Sequence, residues 1–292
     1  MNTDQPRVPE VPLLYLDTLW FQVSGTLCNL TCTHCFVSCG PNVHRHEMIS
    51  QETVRRYLKE AAMLGVREFY FTGGEPFLHK EMVDILRDTL EVGPATVLTN
   101  GTLFRRDLVA RLAEVRDRAE YTLEIRISLD SFDEKQNDNV RGKGSFKRIL
   151  RGIKQLAEAG FNPIITATQI WSDADDRRVR ETFLDLLQSL GLKKPRLKVL
   201  PLFRLGREEE RTHPYEKDER LTEEHMKDFD IATLQCSTGR MVTSQGVFVC
   251  PLLIDAPDAK LGETLAESLR PFPMAHGACH TCWLSGATCK NG

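Results

Sequence analysis

The chain is 292 residues long, has a formal net charge of −3, and contains 41% hydrophobic and 27% charged residues. These values are typical of a globular protein and exclude the disordered and collagen-like classes. No apolar run approaches the roughly 18 residues of a membrane span, and the first residues lack the layout of a secretory signal. The nearly balanced charge argues against a broad nucleic-acid interface, so we expect neither a membrane nor a nucleic-acid partner.

Nine cysteines, which fall into two groups, are the unusual feature of the composition. An odd number cannot pair completely within the chain. Without a secretory signal we expect a cytoplasmic location, where clustered cysteines more often bind metal or perform redox chemistry than form disulfides. The first group is Cys28, Cys32, Cys35 and Cys39, and the second is Cys236, Cys250, Cys279, Cys282 and Cys289. The sequence therefore predicts two separate cysteine sites on a scaffold that has none.

Between these groups, strand-like and helix-like segments alternate. In chain order the segments are strand Leu19–Ser24, helix Ser50–Leu64 with Ser50 as N-cap, strand Glu68–Thr72, helix Met82–Leu90, strand Ala95–Thr99, helix Leu103–Arg118, strand Tyr121–Ser128, helix Phe146–Ala159, strand Ile164–Thr168, helix Val179–Leu190 and strand Arg196–Leu200. Such alternation indicates a parallel sheet covered by helices, and six units are too few for a complete eight-fold barrel. The predicted fold is α/β, a partial (β/α)6 TIM-like barrel.

The pattern also predicts how the chain is divided. We expect an N-terminal extension (1–14), the barrel (15–206), a charged connection that is a linker or a helix (207–235) and a small cysteine-rich module (236–292). In that module a β-hairpin is predicted to turn at Ser244-Gln245-Gly246, and its second strand leads into Cys250.

Candidate functional residues follow the predicted strands, because chemistry in such folds gathers at the C-terminal ends of the strands. Strand alternation also places Glu124, Arg126 and Lys198 opposite the apolar side chains, and therefore toward the barrel interior. A lumen with these groups suits a polar or charged ligand. A salt-bridged interior without any substrate role remains the alternative.

The first cysteine motif, Cys28, Cys32 and Cys35, has the spacing CxxxCxxC on a loop after a strand. Three thiolates on one short loop can hold three corners of a cubane cluster and leave the fourth iron open to another ligand. Zinc prefers a closed set of four ligands. Since Cys39 could supply a fourth thiolate, spacing alone leaves zinc and a closed cluster open.

This motif after the first strand, followed by Gly73-Gly74-Glu75-Pro76 after the second, resembles the radical S-adenosylmethionine (SAM) superfamily over roughly residues 15–205. The resemblance implies that Cys28, Cys32 and Cys35 bind a [4Fe–4S] cluster whose open iron chelates SAM. It implies a SAM site formed by His34, Gly73, Gly74, Glu75, Pro76, Asn100, Ser128, Asp130 and Arg141. It further implies cleavage of SAM to a 5′-deoxyadenosyl radical, hydrogen abstraction from a substrate, and a reductant such as flavodoxin or ferredoxin.

The second cysteine group resembles the C-terminal extension called SPASM, or its shorter form, twitch, which houses auxiliary iron–sulfur clusters. Five cysteines complete one four-thiolate cluster with one left over. The resemblance therefore implies that Cys236, Cys250, Cys279 and Cys282 hold one auxiliary [4Fe–4S] cluster. Structural zinc at the same cysteines is the alternative, and Cys289 could replace one ligand.

The sequence thus predicts an enzyme that oxidises, or otherwise modifies, a small polar metabolite, with the auxiliary cluster as electron acceptor. Glu124, Arg126, Lys198 and Arg204 are candidates for the catalytic base. A ribosomal-peptide maturase that forms thioether or carbon–carbon crosslinks is the alternative, disfavoured because only 27 residues precede Cys28. A cluster- or zinc-bearing regulator without turnover is the third possibility, although it has no need of the Gly73–Pro76 motif.

Overall fold

The structure, a computed structural model, describes residues 7–286, so Cys289 lies outside the described residues. The strands are β1 (Glu10–Val11), β2 (Thr18–Gln22), β3 (Glu68–Thr72), β4 (Ala95–Thr99), β5 (Leu123–Ser128), β6 (Ile164–Thr168), β7 (Arg196–Leu200), β8 (Gly239–Thr243), β9 (Gly246–Phe248), β10 (Lys260–Gly262) and β11 (Phe272–Pro273). The α-helices are α1 (Gln51–Met63), α2 (Met82–Thr89), α3 (Arg106–Arg118), α4 (Glu134–Arg141), α5 (Ser145–Glu158), α6 (Asp176–Ser189), α7 (Arg207–Arg211) and α8 (Gly277–Ser285). None of these helices has the length and apolar character that crossing a membrane requires.

One nine-stranded sheet organises the molecule, in the order β10-β9-β8-β2-β3-β4-β5-β6-β7. Strands β2 to β7 run parallel, with helices between them, which confirms the predicted partial barrel. The predicted hairpin is also present, as β8 and β9. Strand β8 pairs in parallel with β2, the first barrel strand. The predicted module at 236–292 therefore continues the barrel sheet, and its boundary remains a prediction.

The two faces of the sheet pack against different partners. On the outer face, side chains such as Phe21, Phe71 and Ile125 join the helices in one buried core. Ser50 begins the first of these helices by accepting a hydrogen bond from the amide of Thr53, as the sequence predicts. On the inner face, Trp20 belongs to a second core that includes the cysteine loop and the C-terminal strands. The inner face is therefore where both cysteine groups meet the barrel.

Helix α4 is an element of the barrel that the sequence analysis missed. Its sequence, Glu-Lys-Gln-Asn-Asp-Asn-Val-Arg, carries no apolar stripe, and only Asn137 and Arg141 are buried. Asp133 caps its first turn by accepting a hydrogen bond from the amide of Gln136. The aspartate before the turn was the available signal. Helix α3 begins at Arg106 rather than at Leu103.

Candidate active site

A cavity of about 220 Å³ lies at the C-terminal ends of the barrel strands. Its wall combines the first cysteine loop with side chains of the inner sheet face. The predicted residues that line it are Cys28, Cys32, His34, Cys35, Gly73, Gly74, Asn100, Arg126, Ser128 and Arg141. The fold thus brings together residues that are more than one hundred positions apart in the sequence.

The cysteines of the loop have different environments, and none of the described cysteines forms a disulfide. Burial raises the pKa of Cys28 to about 12. Hydrogen bonds from the thiol and the amide of Cys39 lower the pKa of Cys35. Within residues 7–286, no three histidine, cysteine, aspartate or glutamate side chains converge where they could hold a single metal ion.

Gly73 and Gly74 let the chain pass directly against the cysteine loop. A Cβ atom on Gly74 would overlap the carbonyl oxygen of Leu27 and lie 2.8 Å from the Cβ of Cys28. Gly73 has a φ of +146°, and a Cβ there would overlap the hydroxyl of Ser24. Glycine is therefore required at both positions, because any side chain would separate this segment from the loop.

Glu75 is fully buried and does not line the cavity. Its carboxylate accepts hydrogen bonds from the Thr99 hydroxyl (2.7 Å), the Asn100 amide (2.7 Å) and the Phe77 amide (3.1 Å). Burial nevertheless raises its pKa to about 7. Glu75 therefore ties the Gly73–Gly74 segment to the turn after β4, and that turn presents Asn100 to the cavity.

Asp130 connects the cysteine loop to helix α4. One carboxylate oxygen lies 2.7 Å from both His34 Nε2 and Arg141 Nε, and the other accepts a hydrogen bond from the Thr168 amide. Asp130 is fully buried, which raises its pKa, but the charges of Arg141 and His34 bring the pKa below its ordinary value. Asp130 therefore orients two cavity-lining side chains while staying out of the cavity itself.

The inner strand face adds polar groups to the lumen. Arg126 is 1% exposed, and its Nε donates to the hydroxyl of Thr166. Trp20 and Gln22 also line the cavity, and within residues 7–286 the Trp20 indole N–H and the Gln22 carboxamide oxygen have no hydrogen-bond partner. A buried polar group without a partner is costly, so these two atoms leave hydrogen-bonding capacity unsatisfied in the cavity wall.

Four cysteines of the second group line another cavity, between the hairpin and α8. Its wall contains Cys236, Cys250, Cys279 and Cys282. Behind it the buried side chain of Arg240 donates to four carbonyl oxygens, including that of Cys236 at 2.8 Å. Burial lowers the pKa of Arg240 to about 10, and no carboxylate of residues 7–286 pairs with it.

The two cavities share a wall. Pro251 and Leu252, directly after Cys250, line both of them. The two cysteine groups therefore lie on either side of one short segment.

Comparison with known proteins identifies the family of this site. Residues 23–186, more than half of the chain, match the Radical SAM superfamily. The chain belongs to the radical SAM superfamily. Members use SAM together with a [4Fe–4S] cluster, and the CxxxCxxC motif and the two glycines that line the cavity all lie inside the matched segment.

Two curated relatives match about half of the chain. GTP 3′,8-cyclase of Pectobacterium atrosepticum is 31% identical over 169 residues, which cover 56% of this chain and 49% of that protein. A probable GTP 3′,8-cyclase of Methanosarcina mazei is 32% identical over 145 residues, covering 47% of this chain and 41% of its own. The chain thus spans about half the length of these curated relatives, or less.

Solved structures extend the similarity in fold beyond the barrel. SuiB of Streptococcus suis, bound to its precursor peptide SuiA, superposes with a TM-score of 0.65 at 17% identity and covers 90% of this chain and 65% of its own. Native anSMEcpe with bound AdoMet superposes with a TM-score of 0.63 at 17% identity, and the match covers 86% of this chain and 79% of anSMEcpe. At this identity the likeness shows the fold, here that of radical SAM enzymes.

Several predicted site residues of this radical SAM chain lie away from the cavity. Glu124 lies near the start of β5 and pairs with Arg196 at 2.6 Å, so it is at the opposite end of the strand. Arg204 pairs with Glu219 and packs over the Tyr215 ring. Neither lines the cavity, and the same holds for Pro76 and Lys198. Alternation along a strand predicts which face of the sheet a side chain lies on, but not its position along the barrel axis. This is why alternation alone predicted Glu124 in the lumen.

The structure also reveals cavity residues that the sequence analysis missed. Trp20 and Gln22 alternate with Leu19 and Phe21 on β2, so the parity argument used for β5 could have found them. Arg207, by contrast, comes from the charged connection and has no local sequence signal.

Proposed function

We propose that this chain is a radical SAM enzyme that abstracts hydrogen from a small polar metabolite and oxidises it, using a second iron–sulfur cluster as electron acceptor. The observation that carries the proposal is the single cavity shared by the three motif cysteines, the two glycines and the buried Arg126. The second cysteine cavity across the Pro251–Leu252 segment supports the oxidative outcome.

The residues present fit a SAM-binding cluster. Cys28, Cys32 and Cys35 supply three thiolates from one loop, the donor set of a cubane with one open iron. When bound, the cluster and SAM together supply a 5′-deoxyadenosyl radical. Gly73 and Gly74 remove side-chain volume beside Cys28, and we assign them to the amine end of SAM. Asn100, Ser128 and Arg141 would contact its other polar groups, and His34 would lie beside the adenine.

The lumen supports a polar substrate. Arg126 supplies a buried cation, while Trp20 and Gln22 supply a donor and an acceptor that the protein leaves without partners within residues 7–286. Two curated relatives, similar over about half of this chain, are named for GTP, a polar small molecule. Of the four candidate bases named from the sequence, only Arg126 lines the cavity, and we assign it to substrate binding.

We assign Cys236, Cys250, Cys279 and Cys282 to the second cluster. Four cysteine side chains around one cavity match the closed donor set of such a cluster. Arg240 places a buried positive charge behind them, which suits an anionic cluster. A closed cluster next to the active-site cavity is suited to accept the electron that a substrate radical loses.

The deciding experiment measures iron, sulfide and zinc per chain after anaerobic reconstitution. It compares the parent chain with Cys28/Cys32/Cys35→Ala and with Cys236/Cys250→Ala. We expect roughly eight irons in the parent chain and about four in each variant, as two separate [4Fe–4S] clusters require. The parent and the second variant should form 5′-deoxyadenosine from SAM with a chemical reductant. One zinc retained in the first variant would mean that the second site binds zinc instead of a cluster, so the proposed electron acceptor would be absent. Zinc at both sites would contradict the proposal.

A peptide maturase is the second candidate, because two of the structures with this fold contain peptide substrates: SuiB bound to SuiA, and anSMEcpe with the Cp18Cys peptide. The two candidates differ in which added molecules increase 5′-deoxyadenosine formation. Stimulation by polyhydroxylated metabolites, with a product about 2 Da lighter, supports the metabolite oxidase. Stimulation by cysteine-containing peptides alone supports the maturase.

A further inference from the structure

A basic groove of about 660 Å³ lies outside the active-site cavity, between α3, α5 and the turn after Gly74. We define it by its five exposed cationic side chains, Lys80, Arg105, Arg106, Arg111 and Arg151. Its floor is apolar and contains the Phe77 and Phe104 rings, whose centroids are 5.2 Å apart. An apolar centre with a charged rim is the usual anatomy of a protein-binding surface.

The charge of this groove is opposite to that of the whole chain. Five cations against Asp107, the one acidic lining residue, give the groove a net formal charge of +4. The complete sequence has a net charge of −3. Within residues 7–286, no carboxylate pairs with Arg106, Arg111 or Arg151. This concentration of unneutralised cations attracts an acidic partner and raises its rate of encounter.

A short chain of hydrogen bonds connects the groove to the first cysteine motif. Thr102 lines the groove, and both its amide and its hydroxyl donate to the Asn100 carboxamide oxygen. The other end of that carboxamide lies 3.8 Å from the Cys28 sulfur. Asn29, next to Cys28, donates to the Thr102 hydroxyl at 2.9 Å. One side chain, that of Asn100, therefore separates a groove residue from a cysteine of the motif.

We propose that the basic groove is the docking site of an acidic one-electron carrier protein that reduces the cluster at Cys28, Cys32 and Cys35. The inference rests on the proposed function, since that cluster requires an external electron. The carrier loses one electron, and the cluster changes from the 2+ to the 1+ state, so no other reactant is needed. Electron transfer slows steeply with distance, and the groove offers a route to Cys28 through one side chain.

The location also suits a transient complex. Electron-transfer complexes are small and weak, because the carrier must leave after each electron. A rim of flexible arginine and lysine side chains supplies steering without deep burial of the partner. The groove is distinct from the lumen, so docking leaves the substrate cavity accessible.

The test uses stopped-flow reduction of the reconstituted enzyme by the hydroquinone form of a flavodoxin. The variant Arg111→Glu/Arg151→Glu changes the groove charge from about +4 to about zero. The matched control, Arg118→Glu/Lys154→Glu, reverses two exposed cations on the same helices outside the groove. We expect the second-order rate to fall at least about tenfold in the groove variant only, and its dependence on ionic strength to flatten.

Photoreduced deazaflavin, a small electron donor, should reduce the parent and both variants at equal rates. An unchanged flavodoxin rate in the groove variant would overturn the proposal, and so would an equal loss in the control. Should the groove variant retain less iron than the parent, the milder Arg111→Gln/Arg151→Gln variant decides by the same criterion. Formation of 5′-deoxyadenosine with deazaflavin tests the proposed function independently of the groove.

Discussion

The side chain of Arg207 donates a hydrogen bond of 2.8 Å to the carbonyl oxygen of Cys32 and another to that of Cys39. Its own amide donates to the carbonyl of Cys35. One residue of the charged connection thus joins three points of the cysteine loop. The preceding Gly206 has a φ of +55°, and a Cβ there would lie 2.9 Å from the Cys35 carbonyl oxygen. The connection is therefore part of the site that it follows in sequence.

We expect Arg207→Gln to weaken the proposed SAM-binding cluster, because glutamine cannot reach both carbonyl groups. The loop should then release iron to a chelator several-fold faster, which the decay of the cluster absorbance measures. Lys217→Gln removes an exposed cation from the same connection and serves as the control. Equal rates of iron loss in both variants would show that the hydrogen bonds of Arg207 are dispensable.

The sequence was sufficient to predict the structural features that depend on short-range residue patterns. Alternating strands and helices, the CxxxCxxC loop and the glycines beside it all lie where the spacing indicated, and the barrel follows from them. Arg207 and the groove arginines could not be found in this way. Their positions depend on how the connection folds back on the loop and on how α3 and α5 pack together. Helix α4 was missed because polar residues fill it, although Arg141 reaches the cavity only through this helix.

The next prediction concerns the contribution of the Asp130 carboxylate to stability. Asp130→Ala leaves the buried Arg141 cation without its partner, and loss of one member of a buried pair costs about 3–5 kcal/mol. Asp255 serves as the control. It also contacts an arginine and a histidine, Arg45 and His46 at 3.0 Å, but its side chain is 44% exposed. We therefore expect Asp255→Ala to cost less than about 1 kcal/mol. Urea denaturation of the cluster-free chain measures both, and comparable losses would contradict the assigned role of Asp130.

Glu75 predicts a pH dependence of stability. Its pKa is about 7 in the folded chain, above its ordinary value of 4.5, because burial disfavours the charged form. Such a group contributes most to stability below its unfolded pKa, and this contribution is lost as the pH rises through the folded pKa. We expect the stability of the parent chain relative to Glu75→Gln to fall by about 2 kcal/mol between about pH 5 and about pH 8. Denaturant midpoints of both proteins at the two pH values give this difference. A stability difference that stays constant between the two pH values would show that the pKa of the Glu75 carboxyl group is not raised.

The last prediction concerns Arg240, which is 1% exposed behind the second cysteine cavity. A buried cation is costly unless an opposite charge lies nearby, and within residues 7–286 no carboxylate fills that position. Thiolates at Cys236 and Cys250 would supply the compensating charge, so the arginine and the proposed second cluster should stabilise each other.

Arg240→Gln removes the cation, and we expect a lower reduction potential at the second cluster, since a nearby positive charge favours the more negative reduced state. Arg270→Gln changes an exposed arginine whose carbonyl accepts from Arg240, and it should leave the potential unchanged. A redox titration followed by EPR measures both variants in a Cys28/Cys32/Cys35→Ala background, where the second cluster would be observed alone. Equal potentials in the two variants, at equal iron content, would show that the charge of Arg240 is compensated elsewhere and does not act on the cysteines.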